Sequence, residues 1–117
     1  MAGPDFSAID SEEKAEAMSR RGELEPLLLL PREFGGEECR ENTVFVPRGL
    51  ADAKRRVDLG VILPLVQDGK VERYAATPEY QGASFIPVSI KIVATGTTTF
   101  TTTINIWGDA LTQGSHT

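Results

Sequence analysis

Histidine is almost missing from this chain: the single His116 is the penultimate residue of the sequence. A serine or cysteine nucleophile needs a neighbouring base, most often an imidazole, so histidine-dependent catalysis is not expected. Cysteine is equally scarce. Cys39 alone excludes an internal disulfide, and zinc or transition-metal sites built from clustered His and Cys lack their ligands. No cofactor is expected. Cys39 also sits among glutamates, the wrong setting for a nucleophilic thiol.

Long apolar runs are absent too; the longest is Leu27 to Leu30, far short of a membrane span. The acidic stretch Met1 to Glu16 contains no hydrophobic segment of the kind a secretory signal needs. A cytoplasmic, non-membrane protein is therefore expected. Basic charge is the last deficit. The net charge is −5, with residues 1–47 carrying eleven acids against five bases and residues 48–117 six against seven. That balance argues against generic nucleic-acid binding, which needs a basic footprint, and is compatible with a basic protein partner.

The remaining chemical motifs are incomplete. Gly35-Gly36 is followed by no Lys-Ser/Thr and opens no helix, so it is not a phosphate-binding loop. The glutamates around it match no EF-hand spacing. Their loop is also the wrong place to raise a carboxyl pKa for acid–base work. An enzyme is the less favoured expectation.

What the chain does contain is a threonine-rich hairpin from Phe85 to Trp107 with two separated faces. One face reads Val88, Ile90, Ile92 against Phe100, Ile104, Ile106. The other reads Ser89, Lys91, Val93 against Thr99, Thr101, Thr103, Asn105, Trp107. A period of two over both arms predicts paired strands with one dry and one wet side, turning around Thr95 to Thr98. Leu24 to Leu30, in which Pro26 and Pro31 bracket four consecutive leucines, predicts a strand buried on both faces and paired with Thr43 to Val46. Pro47 is placed to open a helix. Leu50, Ala53, Val57, Val61 and Leu65 then predict a one-sided helix over 48–67, ended at Gly69 and weakened by Gly60 and Pro64. Lys70 to Ala76 reads as a further strand.

These elements predict an α+β fold: one antiparallel sheet of about five strands with one main amphipathic helix on one face, in the order ββ-α-βββ. Residues 1–22 are expected to be a flexible or weakly helical segment, 23–107 the single domain, and 108–117 a disordered tail.

Two groups are expected to contact a partner. Glu33, Glu37, Glu38 and Glu41 would steer a basic protein during encounter. Thr101, Thr103, Asn105 and Trp107 would supply contact area, with Trp107 either exposed as an anchor or covered by the N-terminal segment or by Tyr74 and Tyr80. A homo-oligomer joined through the hairpin edge is a further possibility. The alternative to a binding module is a small-molecule or enzymatic pocket between helix and sheet, lined by Tyr74, Tyr80 and Phe85.

The stretches Glu33-Phe34-Gly35-Gly36, Asn42 to Pro47, Gly69-Lys70-Val71, Tyr74 and Pro78-Glu79-Tyr80 to Pro87 resemble a group of small bacterial proteins. Some of these are similar to the immunity partners of bacterial toxins. The resemblance implies a small α+β protein that works by binding another protein, possessing no catalytic or ligand residues to carry over.

Overall fold

The computed structural model describes residues 5–108 and 110. Its strands form two antiparallel sheets rather than one. β1 (Leu24–Leu28) pairs with β2 (Thr43–Pro47), and β3 (Val71–Glu79), β4 (Ser89–Gly96) and β5 (Thr99–Asn105) form a second sheet in that order. The expected five-stranded sheet is thus corrected to a two-stranded ribbon and a three-stranded sheet, within an α+β architecture.

The reason lies in β1. Pro26 has no N–H to offer a further strand, and the Glu25 carboxylate is occupied elsewhere. Its Oε2 accepts from the Gly49 and Ala51 N–H groups at 2.8 and 3.2 Å, which caps helix α2 (Leu50–Val57). Helices α1 (Glu12–Arg20) and α2 both pack against the two strands of the ribbon. Leu28, Leu29 and Leu30 are only half-buried, so the leucine run is not dry on both faces.

The predicted helix over 48–67 begins later than expected. Pro47 closes β2 instead of opening the helix, and Gly49, at φ 98°, makes the entry. The helix then changes pitch. After α2 comes a π-helical turn, Asp58–Ile62, in which Leu63 N–H reaches back to Asp58 O, and then α3 (Leu63–Gln67). Pro64 explains the wide turn: its ring would crowd the Gly60 carbonyl in a regular helix, and it brings no donor. Inward positions follow the four-residue row Lys54, Asp58 and Ile62, while Val61, expected inside, is 41% exposed.

Both longer-range helix ends are closed by paired backbone bonds. Lys70 N–H reaches Leu65 O and Gly69 N–H reaches Val66 O after α3. Glu23 and Gly22 do the same to Met18 and Ser19 after α1. At its start α1 is capped by Ser11, whose Oγ accepts from Lys14 N–H at 3.2 Å.

The N-terminal segment contributes to the core despite its polar composition. Ala15 is fully buried, Phe6 and Ile9 pack against the core, and Phe85 N–H donates to Ile9 O at 2.6 Å. The core itself runs through Leu24, Leu27, Val44, Val46, Ile62, Ile86, Ile90, Ile92 and Trp107. The expected tail 108–117 lies almost wholly outside the described residues, as does His116. No helix among the described residues is long and apolar enough to cross a membrane.

Candidate functional site

The β4–β5 hairpin is where sequence pattern and geometry agree best. Ala94 faces Phe100, Ile92 faces Thr102 and Ile90 faces Ile104, and Ile90, Ile92 and Ala94 are fully buried. The intervening pairs, Val93 with Thr101, Lys91 with Thr103 and Ser89 with Asn105, lie on the opposite face. Thr99, Thr101 and Thr103 are exposed there and Asn105 is half-buried. A two-residue connection, Thr97-Thr98, joins the strands, and Thr98 N–H donates to Lys70 O at 3.1 Å. Gly96 is required at this point: a Cβ would lie 2.3 Å from Lys70 O.

Because β4 is central, β3 and β5 are edge strands. Their edges differ in kind. β3 carries Glu72, Arg73, Pro78 and Glu79, the residues that discourage edge-to-edge pairing. β5 reads Thr-Phe-Thr-Thr-Thr-Ile-Asn, seven residues with no charge and no proline. Among the described residues its outer edge has no strand partner.

Trp107 does not extend this surface. It is 1% exposed, contrary to the expectation from strand parity that it shares the wet face. The alternation breaks because β5 stops at Asn105, and Ile106 and Trp107 N–H both converge on Val88 O, at 2.7 and 3.3 Å. Both side chains then turn inward. Indole Nε1–H donates to Ile86 O at 3.1 Å, and Phe6 meets the ring edge-on, centroids 6.0 Å apart at 89°. The cover is thus the N-terminal segment.

The four glutamates lie in the β1–β2 connection, which Gly35, at φ 94°, helps to turn. Two are engaged in ion pairs, Glu33 with Arg55 at 3.2 Å and Glu38 with Arg32. Glu37 and Glu41 are exposed. The loop therefore presents less unbalanced negative charge than its sequence suggests.

Tyr74, Tyr80 and Phe85, expected to line one pocket, sit in different settings. Tyr80 and Phe85 are 50% and 38% exposed, with Phe85 bordering an open groove beside Phe45, Leu28 and Cys39. Tyr74 points into the protein. There it completes a polar network that sequence reading missed: Lys54 Nζ donates to Asp58 Oδ2 at 2.6 Å, to Tyr74 Oη at 2.8 Å and to Leu29 O at 2.9 Å, while Tyr74 Oη–H donates to Asp58 Oδ1 at 2.8 Å. Lys54 and Asp58 are 2% and 3% exposed. Burial holds the Lys54 ammonium below its ordinary value, with Asp58 opposing that trend. Burial and then the Asp58 carboxylate push the Tyr74 phenol well above its own.

A cleft of about 310 Å³ opens beside this network, lined by Pro26, Leu28, Arg32, Ala51, Lys54 and Asp58 among others. Its lysine is not a free nucleophile. All three ammonium N–H groups are engaged, and among the described residues no buried side-chain nitrogen or oxygen lacks a partner. The described residues also hold no group of three or more His, Cys, Asp or Glu arranged for a metal ion. The signal for the pair was its place in the sequence: Lys54 and Asp58 share the four-residue row of Leu50 and Ile62, an apolar row on which a charge needs a partner.

Compared with protein-family models, curated proteins and solved structures, the chain matches none.

Proposed function

We propose that this chain is a non-catalytic protein-binding module that receives an extended segment of its partner along the outer edge of β5. The observation that carries this reading is the unguarded edge itself: seven strand residues, uncharged and free of proline, on a sheet whose other edge is guarded. Strand addition draws affinity from backbone hydrogen bonds and specificity from alternate side chains. Phe100, Thr102 and Ile104 would read one side of the incoming strand and the exposed threonines the other.

An immunity-type inhibitor, as the sequence resemblance suggests, is the narrower form of this reading and would act by steric occlusion. The enzymatic alternative draws no support from the cleft beside Lys54, where the reactive groups are already hydrogen-bonded to one another. The test is an NMR titration of the isotope-labelled full chain with an uncharged seven-residue peptide of the β5 sequence. A counterpart N-methylated at alternate residues cannot complete the backbone ladder. Amide shifts concentrated in Thr99–Asn105, and lost with the methylated peptide, support the reading. Shifts confined to the grooves, or equal for both peptides, overturn it.

A further inference from the structure

We propose that the strand received by β5 is β5 of a second copy of this chain, paired antiparallel about Thr102 to make a continuous six-stranded sheet. This rests on the strand-addition reading and adds the partner. The sequence of the edge carries it, because it reads the same in polarity from either end: Thr-Phe-Thr-Thr-Thr-Ile-Asn.

Centred on Thr102, the pairing opposes Thr99 to Asn105, Phe100 to Ile104 and Thr101 to Thr103 of the copy. Opposed residues share a face, so apolar meets apolar on the dry side and threonine meets threonine on the wet side. Phe100 and Ile104 are half-buried in the single chain and would each gain an apolar neighbour. Shifting the register by one residue in either direction would set Phe100 and Ile104 against threonine or asparagine instead.

Charge is consistent with the same partner. No ionised side chain lies on β5, and Lys91, beside Thr103 on β4, falls in a cross-strand row with Thr101 and Val93 of the copy rather than with its own equivalent. Pairing β5 onto the β3 edge would instead bring Glu72, Arg73, Glu79 and Pro78 against an uncharged strand and cost a ladder donor. The two-fold pairing uses the same patch on both molecules and closes, so it yields a dimer and not a filament. Seven residues give an edge only about 24 Å long and one strand wide, whereas a stable interface buries roughly 1,000 Å². The dimer should accordingly dissociate on dilution.

Sedimentation velocity on the full chain, over about a hundredfold range of concentration, reads this by mass action. The expected result is a rise from the 12.7 kDa monomer toward twice that mass. The variant Thr101→Glu/Thr103→Glu opposes like charges twice across the interface and should weaken dimerisation about tenfold or more. Thr101→Lys/Thr103→Glu opposes unlike charges in the same register and should restore it. Circular dichroism on each variant confirms folding, and both new side chains sit on the exposed face. A dimer indifferent to these substitutions overturns the proposal, as does a monomer throughout. If that monomer still binds the β5 peptide at Thr99–Asn105, only the second copy is excluded; if it does not, the strand-addition reading falls with it.

Discussion

At the scale of single residues, Trp107 departs most from its sequence reading, and Lys54 is the buried charge that reading missed; both side chains are hydrogen-bonded where they are buried. Parity placed Trp107 on the wet face because alternation along β5 gives no notice of where the strand stops. The shared acceptor Val88 O, and not the side-chain pattern, ends it. As the chain's one tryptophan, Trp107 should fluoresce as a buried indole and shift to the red on unfolding; water-exposed emission from the native protein would contradict its placement. Trp107→Ala should cost about 3–5 kcal/mol of stability, read from chemical denaturation.

The network around Lys54 makes a pH prediction. Tyr74 keeps its proton in the folded protein far above the 10.0 at which it titrates when unfolded, so stability falls as pH rises past that value. Lys54, held below its unfolded value of 10.5, acts in the opposite sense: below 10.5 the unfolded chain binds more proton, so stability rises with pH toward that value. Denaturation midpoints across alkaline pH should show the decline, and Tyr74→Phe should reduce it, leaving the part contributed by Tyr80, whose phenol pKa is likewise raised by burial. Lys54→Met, which leaves Asp58 buried with one partner fewer, should destabilise by about 3–5 kcal/mol near neutral pH.

At the scale of elements, the hairpin was legible because its period of two persists over both arms, and the β1–β2 pair because prolines and glycines mark its ends. The helix was legible in extent but not in pitch. Pro64 announces a disturbance, yet whether it breaks, kinks or widens the helix depends on what the next turn packs against. The cap supplied by Glu25 to α2 was also hidden, since it joins residues 24 positions apart. Glu25→Ala should lower stability by about 1 kcal/mol, measured as a shift in urea midpoint. Two glycines offer a contrast. Gly60 has open space around it, so Gly60→Ala should stabilise by roughly 0.5–1 kcal/mol. Gly96→Ala should instead destabilise, because Lys70 O stands where its methyl would go; equal effects at the two sites would contradict the close approach of β3 and β4.

At the scale of the whole molecule, sequence indicated an α+β fold but not its division into ribbon and sheet. Strand pattern says which faces are dry and nothing of which strands meet across a helix. That choice is made by long-range docking: α1 and α2 pack against both strands of the ribbon, and Pro26 brings no N–H to a further strand on β1. The consequence is that the larger sheet ends at β5, and the threonines read from sequence as a solvated face also border an open edge. The proposed function rests on that edge and not on the acidic loop, whose glutamates are partly neutralised by Arg32 and Arg55. The most direct measurement is amide hydrogen exchange along Thr99–Asn105 in a dilute sample. An open edge predicts a period of two, with amides bonded to β4 protected and the alternate, outward ones exchanging rapidly. Uniform protection of all seven would mean the edge is already covered in the single chain, and the account of this protein as a strand-accepting module would be wrong.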